Sequence, residues 1–149
     1  MIDLDIRIDE ANWVEAAGDL DDVAHSAVAA ACAQTGLRKA GVSLLFCDDR
    51  AIQALNRTWR DKDKPTDILS FPADPMDRPF LGDIALSFGV TSRDAETQNK
   101  LFDQHVSHLI IHGVLHLLGH DHMYATQAEE MERLEQAALA SLGWPDPYK

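Results

Sequence analysis

Three histidines, His112, His116 and His122, fall in the run His-Gly-Val-Leu-His-Leu-Leu-Gly-His-Asp-His and follow the spacing H-x-x-x-H-x-x-G-x-x-H. Four residues is slightly more than one helical turn, so His112 and His116 project from one face of a helix. The stretch before them, 106–111, is largely apolar and lacks Gly and Pro, which suits a buried helix. Gly119 ends that helix, because glycine tolerates the left-handed conformation that turns a chain back. After the turn His122 can reach the face that carries the first pair. Three neutral imidazoles then converge on one point with a fourth position open. Catalytic zinc takes that arrangement, whereas structural zinc usually takes four protein ligands, often Cys.

An absence at this motif is equally informative. Zinc peptidases read H-E-x-x-H, with the Glu as general base. Here that position is Gly113, which cannot take a proton from water. Four more residues border the motif. His108 is one turn before His112 and could hydrogen-bond a neighbour of the ligands. Asp121, beside the third histidine, is a second candidate for such a bond. His120 is an alternative ligand at a poorer spacing, and His105 is expected to be solvated. His25, distant in sequence, reads as a solvated or core histidine.

The elements that must position these groups follow from periodicity. Ile2 to Ile8 alternates apolar and polar, which predicts a strand with one solvated face. A loop containing Trp13 leads to a helix capped by Asp19, Asp21 or Asp22 and stopped near Thr35 by Gly36. Val42 to Cys47 predicts a buried strand, and Asp48 or Asp49 caps a helix through about Trp59. Ile68 to Phe71 predicts a short strand, Pro72 to Pro79 a proline-rich loop, and Leu81 to Phe88 a further strand. Gly82 within it suggests a bulge or a close backbone approach. A polar helix over 91–99 precedes the histidine helix, about Phe102 to Leu118. The last helix, Ala125 to Leu142, carries a core stripe of Ala128, Met131, Leu134, Ala138 and Leu142, with Glu129, Glu130, Glu132 and Glu135 expected to face water. Together these predict a single α+β (mixed α/β) domain over residues 1–149. One four-stranded mixed sheet carries packed helices, with the histidine helix central.

Composition narrows the function classes. No apolar run approaches the roughly 20 residues that span a bilayer, and the acidic, alternating start at residues 1–5 is not a signal peptide. Cys32 and Cys47 sit in apolar stretches without ligand or disulfide spacing, as in a reducing cytoplasm. Formal net charge is −12, which as a global property opposes a polyanionic partner. Local charge matters more, since the Debye length is about 8–10 Å at physiological salt. Residues 57–64 hold four basic groups, Arg57, Arg60, Lys62 and Lys64, against two acidic ones, a local charge of +2. On charge alone this octet reads as a solvated, mixed-charge loop.

Three blocks resemble those of one family. The run HGVLHLLGHDH is similar to the signature of the YbeY endoribonucleases, also called rRNA maturation factors. Leu55-Asn56 through Arg60, then Pro65-Thr66-Asp67-Ile68-Leu69-Ser70-Phe71-Pro72, resembles the family's second signature, and Leu81-Gly82-Asp83-Ile84 its third. The likeness runs from about residue 42 to the end and includes the acidic last helix followed by Gly-Trp-Pro-Asp-Pro-Tyr. His120 departs from it, since a Tyr is common there. The resemblance implies one zinc ion per chain, held by three histidines in a cleft. It also implies cleavage of single-stranded RNA, maturation of the small-subunit rRNA 3′ end and ribosome quality control. The small ribosomal subunit and its associated factors would be partners, with no membrane and no DNA involved. An arginine important for activity falls on Arg60, which turns the basic octet from a solvated loop into site residues. Arg57, Lys62 and Lys64 would then guide the RNA backbone.

Zinc held by three histidines can bring the pKa of its water toward ~7. Arg60, with a planar fork of donors, suits the charge that builds on phosphate oxygens. Two other readings are a zincin-like metallopeptidase, against which Gly113 argues, and a non-catalytic ribosome assembly factor with structural zinc.

Overall fold

Four strands form one sheet in the order β1–β2–β4–β3, and its two faces are covered very differently. The computed structural model describes residues 1–121 and 123–148; His122 and Lys149 lie outside the described residues. Strands β1 (Ile2–Ile8), β2 (Ala40–Cys47) and β4 (Phe80–Ser87) run parallel, and β3 (Ile68–Pro72) pairs antiparallel with β4 at the edge. The helices are α1 (Asn12–Ala16), α2 (Leu20–Gln34), α3 (Asp49–Arg60), α4 (Phe88–Thr97), α5 (Phe102–Leu117) and α6 (Ala125–Ser141). A mixed α/β domain with one four-stranded mixed sheet is thus the observed architecture. Among the described residues no helix is long and apolar enough to cross a membrane.

Side chains alternate across a strand, so β2 contributes to two separate clusters. Val42, Leu44 and Phe46 join the main core with Ile84 and Leu86 of β4 and with α2, α5 and α6. Leu45 and Cys47 face the other way, where Ile52 and Leu55 of α3 cover a small patch with Leu69, Phe71 and Ala85. The histidine helix α5 lies in the thick layer. It packs against the sheet, α2, α4 and α6, and Val106, Ile110, Ile111, Val114 and Leu115 are fully buried along it.

Local chemistry accounts for the helix boundaries. Asp19 caps α2 by accepting from the Asp22 N–H at 3.1 Å, and Asp48 caps α3 by accepting from the Ala51 N–H at 2.8 Å. After α5, Gly119 takes φ +93°. Its N–H donates to the His116 carbonyl, and the His120 N–H donates to the Leu115 carbonyl, both at 3.0 Å. That is the paired closure in which a left-handed residue satisfies the last carbonyls of a helix.

Trp13 departs from its expected loop setting. It lies on the short helix α1, and is fully buried. Its indole N–H donates to the Cys47 carbonyl at 2.9 Å, and its ring packs edge-on against Phe46 and Phe88. Five residues carry too little periodicity to mark a helix; the buried indole holds it in place. The polar helix also begins earlier than expected, at Phe88 rather than 91, because β4 runs straight into it.

Gly82 sits at the irregularity its sequence position suggested. The β2–β4 register shifts between Gly41 and Val42, and Gly82 adopts φ +142°. A Cβ there would lie 2.3 Å from the Phe71 carbonyl oxygen. Only glycine lets β3 approach β4 this closely.

Candidate active site

Along α5, His112 and His116 stand one turn apart with ring centroids 4.5 Å from each other. Their Nε2 atoms converge to 3.0 Å. The other nitrogen of His112, Nδ1, is hydrogen-bonded to Oε1 of Glu135 on α6. Glu135 is only 1% exposed. It also meets His108, Nε2 to Oε2 at 3.5 Å, and accepts the hydroxyl proton of Tyr148 on Oε2. Burial pushes the Glu135 carboxyl up, but hydrogen bonds from His108, His112 and Tyr148 outweigh it and bring the carboxyl down to about 2. An ionised carboxylate only accepts, so His112 Nδ1 must be the donor. The Nε2 lone pair is then turned toward His116, the tautomer a metal ligand needs.

The pair can be tested against a divalent cation. Two nitrogens on one tetrahedral zinc ion, each at about 2.05 Å, lie roughly 3.3 Å apart. The observed 3.0 Å meets that with a small adjustment, and neutral imidazole is a suitable donor. His122, expected as the third ligand, lies outside the described residues.

Facing these rings is Arg60, the last residue of α3. It lines a cleft of about 300 Å³ together with Asp67, Ile68, Leu69, Ser70, Pro72, His112 and His116. Its guanidinium donates to the Ser70 carbonyl at 2.8 Å and lies 5.9 Å from the centroid of the Phe71 ring, a cation–π distance. Ser70 also touches the opposite wall, where its hydroxyl donates to the Gly113 carbonyl at 3.3 Å. One residue of the edge strand thus joins Arg60 to the histidine helix. A larger hollow, about 500 Å³, lies on the other face of the sheet between Leu45, Leu55, Trp59, Phe71 and Asp83. It holds neither the histidines nor Arg60.

The loop after α3 is built on Asn56. Its carbonyl accepts the Lys62 N–H at 3.2 Å, and its side-chain amide donates to the Lys64 carbonyl at 3.0 Å. Asp61 caps α3 in the left-handed conformation, φ 56°. Arg57, Lys62 and Lys64 are exposed; Arg57 lies 3.7 Å from Asp63. These three do not line the cleft with Arg60. His120 and Asp121 border a separate depression with Thr126, Gln127 and Glu130.

Two expectations need correction. Glu135 does not face water. It follows Met131 by four residues and precedes Ala138 by three, so it lies on the buried stripe of α6 despite its charge. That stripe position was the available signal. His105 is not solvated either. It is 4% exposed, and neither ring nitrogen has a hydrogen-bond partner among the described residues. Burial, with help from Lys100 and His108, pushes its pKa down. The helix is enclosed on more sides than its single histidine face implied. Asp67 and Ser70 are cleft residues to which spacing assigned no role.

Gly113 has a structural reason of its own. A Cβ there would meet the Ile68 Cδ1 at 2.9 Å and the Ile84 Cδ1 at 3.1 Å. The position faces the sheet, so a glutamate could not be housed there without displacing β3 and β4 side chains.

Residues 7–143 match the family model described as Endoribonuclease YbeY. Relatives named Endoribonuclease YbeY include one from Methylocella silvestris, 44% identical over 98% of this chain and 85% of its own. Another, from Chelativorans, is 46% identical over 97% of this chain and 92% of its own. A third, from Rhizobium etli, is 52% identical over 72% of this chain and 66% of its own. The solution structure of TM1509 from Thermotoga maritima shares the fold, with TM-score 0.61 at 22% identity over 96% of this chain and 92% of that one. With a family model spanning most of its length and relatives 44% and 46% identical over nearly all of it, the chain belongs to the YbeY endoribonuclease family.

Proposed function

We propose that this chain is a zinc-dependent endoribonuclease that cuts single-stranded RNA in the cytoplasm. It acts in maturation of the small-subunit (16S) rRNA 3′ end and in ribosome quality control, with the small ribosomal subunit and its associated factors as partners. One observation carries the reading: an arginine from α3 and two convergent imidazoles from α5 border the same cleft. The names of the relatives support RNA as the substrate class.

His112, His116 and His122 would hold the ion. When bound, zinc supplies Lewis-acid chemistry toward a phosphodiester. Arg60 holds the negative charge that develops on the non-bridging phosphate oxygens, to which its planar fork of donors is suited. The Ser70 carbonyl and the Phe71 ring fix the guanidinium's direction, so little reorganisation is needed when the phosphate arrives. Glu135 keeps His112 in the tautomer that presents Nε2 to the cleft. Arg57, on the last turn of α3, and Lys62 and Lys64, on the loop anchored by Asn56, attract the flanking phosphates. Their local charge acts within a Debye length, so the chain's net −12 does not prevent approach.

The peptidase alternative needs a general base at position 113, and that position faces Ile68 and Ile84. The assembly-factor alternative needs no reactive arginine beside the histidines. The test is cleavage of a fluorescent single-stranded RNA by protein stripped of metal and by the same protein with zinc restored. Cleavage only in the restored sample, with casein left intact, is the expected result. Equal cleavage by stripped protein, or none by either, overturns the proposal.

A further inference from the structure

The buried carboxylate behind the histidines points beyond the ligand set. Glu135 lies on α6, a different element from the ligands it supports, and three donors converge on it: His112, His108 and Tyr148. Tyr148 reaches it by a defined route. The Gly143 N–H closes α6 onto the Ala140 carbonyl, and the Trp144 N–H onto that of Leu139, both at 3.0 Å. Trp144 then packs against the main core, and the Tyr148 N–H donates to Asp146 Oδ1 at 2.9 Å. The Tyr148 ring stands edge-on to His108, with centroids 5.7 Å apart. The segment after α6 is therefore folded back against the histidine helix.

We infer that Glu135 and Tyr148 are positioning residues of the metal site: Glu135 orients His112, and Tyr148 orients Glu135. The inference rests on the zinc reading above and deepens it, since it makes the segment after α6 part of the site. Both carboxylate oxygens are engaged. Oε1 takes the His112 proton, while Oε2 takes Tyr148 and faces His108, so rotation of the carboxylate would break contacts on both sides. An outer carboxylate that orients a ligating imidazole commonly changes metal affinity by about 10- to 100-fold. Loss of a single hydroxyl behind it should cost less, about 2- to 10-fold.

The zinc dissociation constant of the full chain would be measured by competition with a chromophoric chelator. Wild type would be set beside Glu135→Gln, Tyr148→Phe and Glu130→Gln, a control on the exposed face of the same helix. Metal-free melting temperatures and the hydrogen-bonded imidazole N–H resonance of His112 would be recorded alongside. The expected order is a 10- to 100-fold weaker constant for Glu135→Gln, 2- to 10-fold for Tyr148→Phe and no change for Glu130→Gln. The His112 resonance should be lost in the first variant and shifted in the second. Should Glu135→Gln fail to fold, Tyr148→Phe still decides, because it removes one hydroxyl and keeps the ring. Wild-type zinc binding with unchanged affinity and resonance in Tyr148→Phe overturns the inference and leaves the endoribonuclease reading intact. A wild-type chain that binds no zinc overturns that reading and takes the positioning role with it.

Discussion

The two walls of the cleft are made by different means. The histidine wall belongs to α5, enclosed by the sheet and by α2, α4 and α6, and is braced from behind by a buried carboxylate. The arginine wall is the exposed end of α3, on the thinly covered face of the sheet, held among the described residues by a hydrogen bond to the edge strand and a ring contact. Metal ligands must be fixed closely, and a core helix does that. A group that meets an incoming phosphate can sit where solvent and substrate reach it. Changes to the first wall should therefore disturb metal, fold and activity together, and changes to the second wall activity alone.

The largest effect tests the first half of that contrast. His112→Ala should leave the chain without bound zinc and without cleavage. It should also lower stability by about 3 kcal/mol, because Glu135 loses a partner for its buried charge. Elemental analysis and a thermal melt measure both; an unchanged melt would erase the distinction between the walls. Arg60→Ala tests the other half. We expect cleavage to fall ~10²- to 10³-fold, with zinc content unchanged and stability lowered by no more than about 1.5 kcal/mol, the scale of its hydrogen bond to Ser70.

Gly82→Ala attacks what joins the walls. The added methyl meets the Phe71 backbone, and β3, which carries Ser70, must move. A loss of more than about 1 kcal/mol is expected by chemical denaturation, together with slower cleavage as Arg60 loses its register against α5. Stability lost without any change in rate would mean that β3 does not set that register.

The smallest effect compares the two layers through their thiols. Burial pushes both cysteines up, Cys47 to about 12 with a further push from Asp48 and Asp9. Both are thus protonated and slow toward a maleimide at pH 8. The unfolded thiol ionises from its ordinary 9.0, so the fold favours the protonated form and Cys47's contribution is lost as pH rises from about 9 to about 12. Cys47 lies beneath α3, whereas Cys32 is in the thick core. Labelling of native protein should reach Cys47 first, through local opening of the thinner layer; mass spectrometry of the labelled peptides gives the order.

Much of this architecture was legible from local pattern. Two-residue alternation marks β1 and β4, short apolar runs mark β2 and β3, and the caps Asp19 and Asp48 and the stop Gly119 bound the helices within a few residues. These features depend on neighbours in the chain, which is why they can be read there. The failures share a cause. Trp13 sits on a helix and not in a loop, His105 and Glu135 are buried and not solvated, and Asp67 and Ser70 line the cleft. Each is placed by what packs against it from a distant part of the chain.

By itself the sequence determined the histidine spacing, the missing base at Gly113, the basic octet against an acidic whole and the order of strands and helices. All of these follow from short-range geometry and side-chain chemistry. Only tertiary structure decided that Arg60 crosses the edge strand to face the imidazoles, and that Glu135 and Tyr148 stand behind them. Those contacts join residues ten to fifty-six positions apart, and the packing of helices on the sheet, not spacing along the chain, brings them within reach.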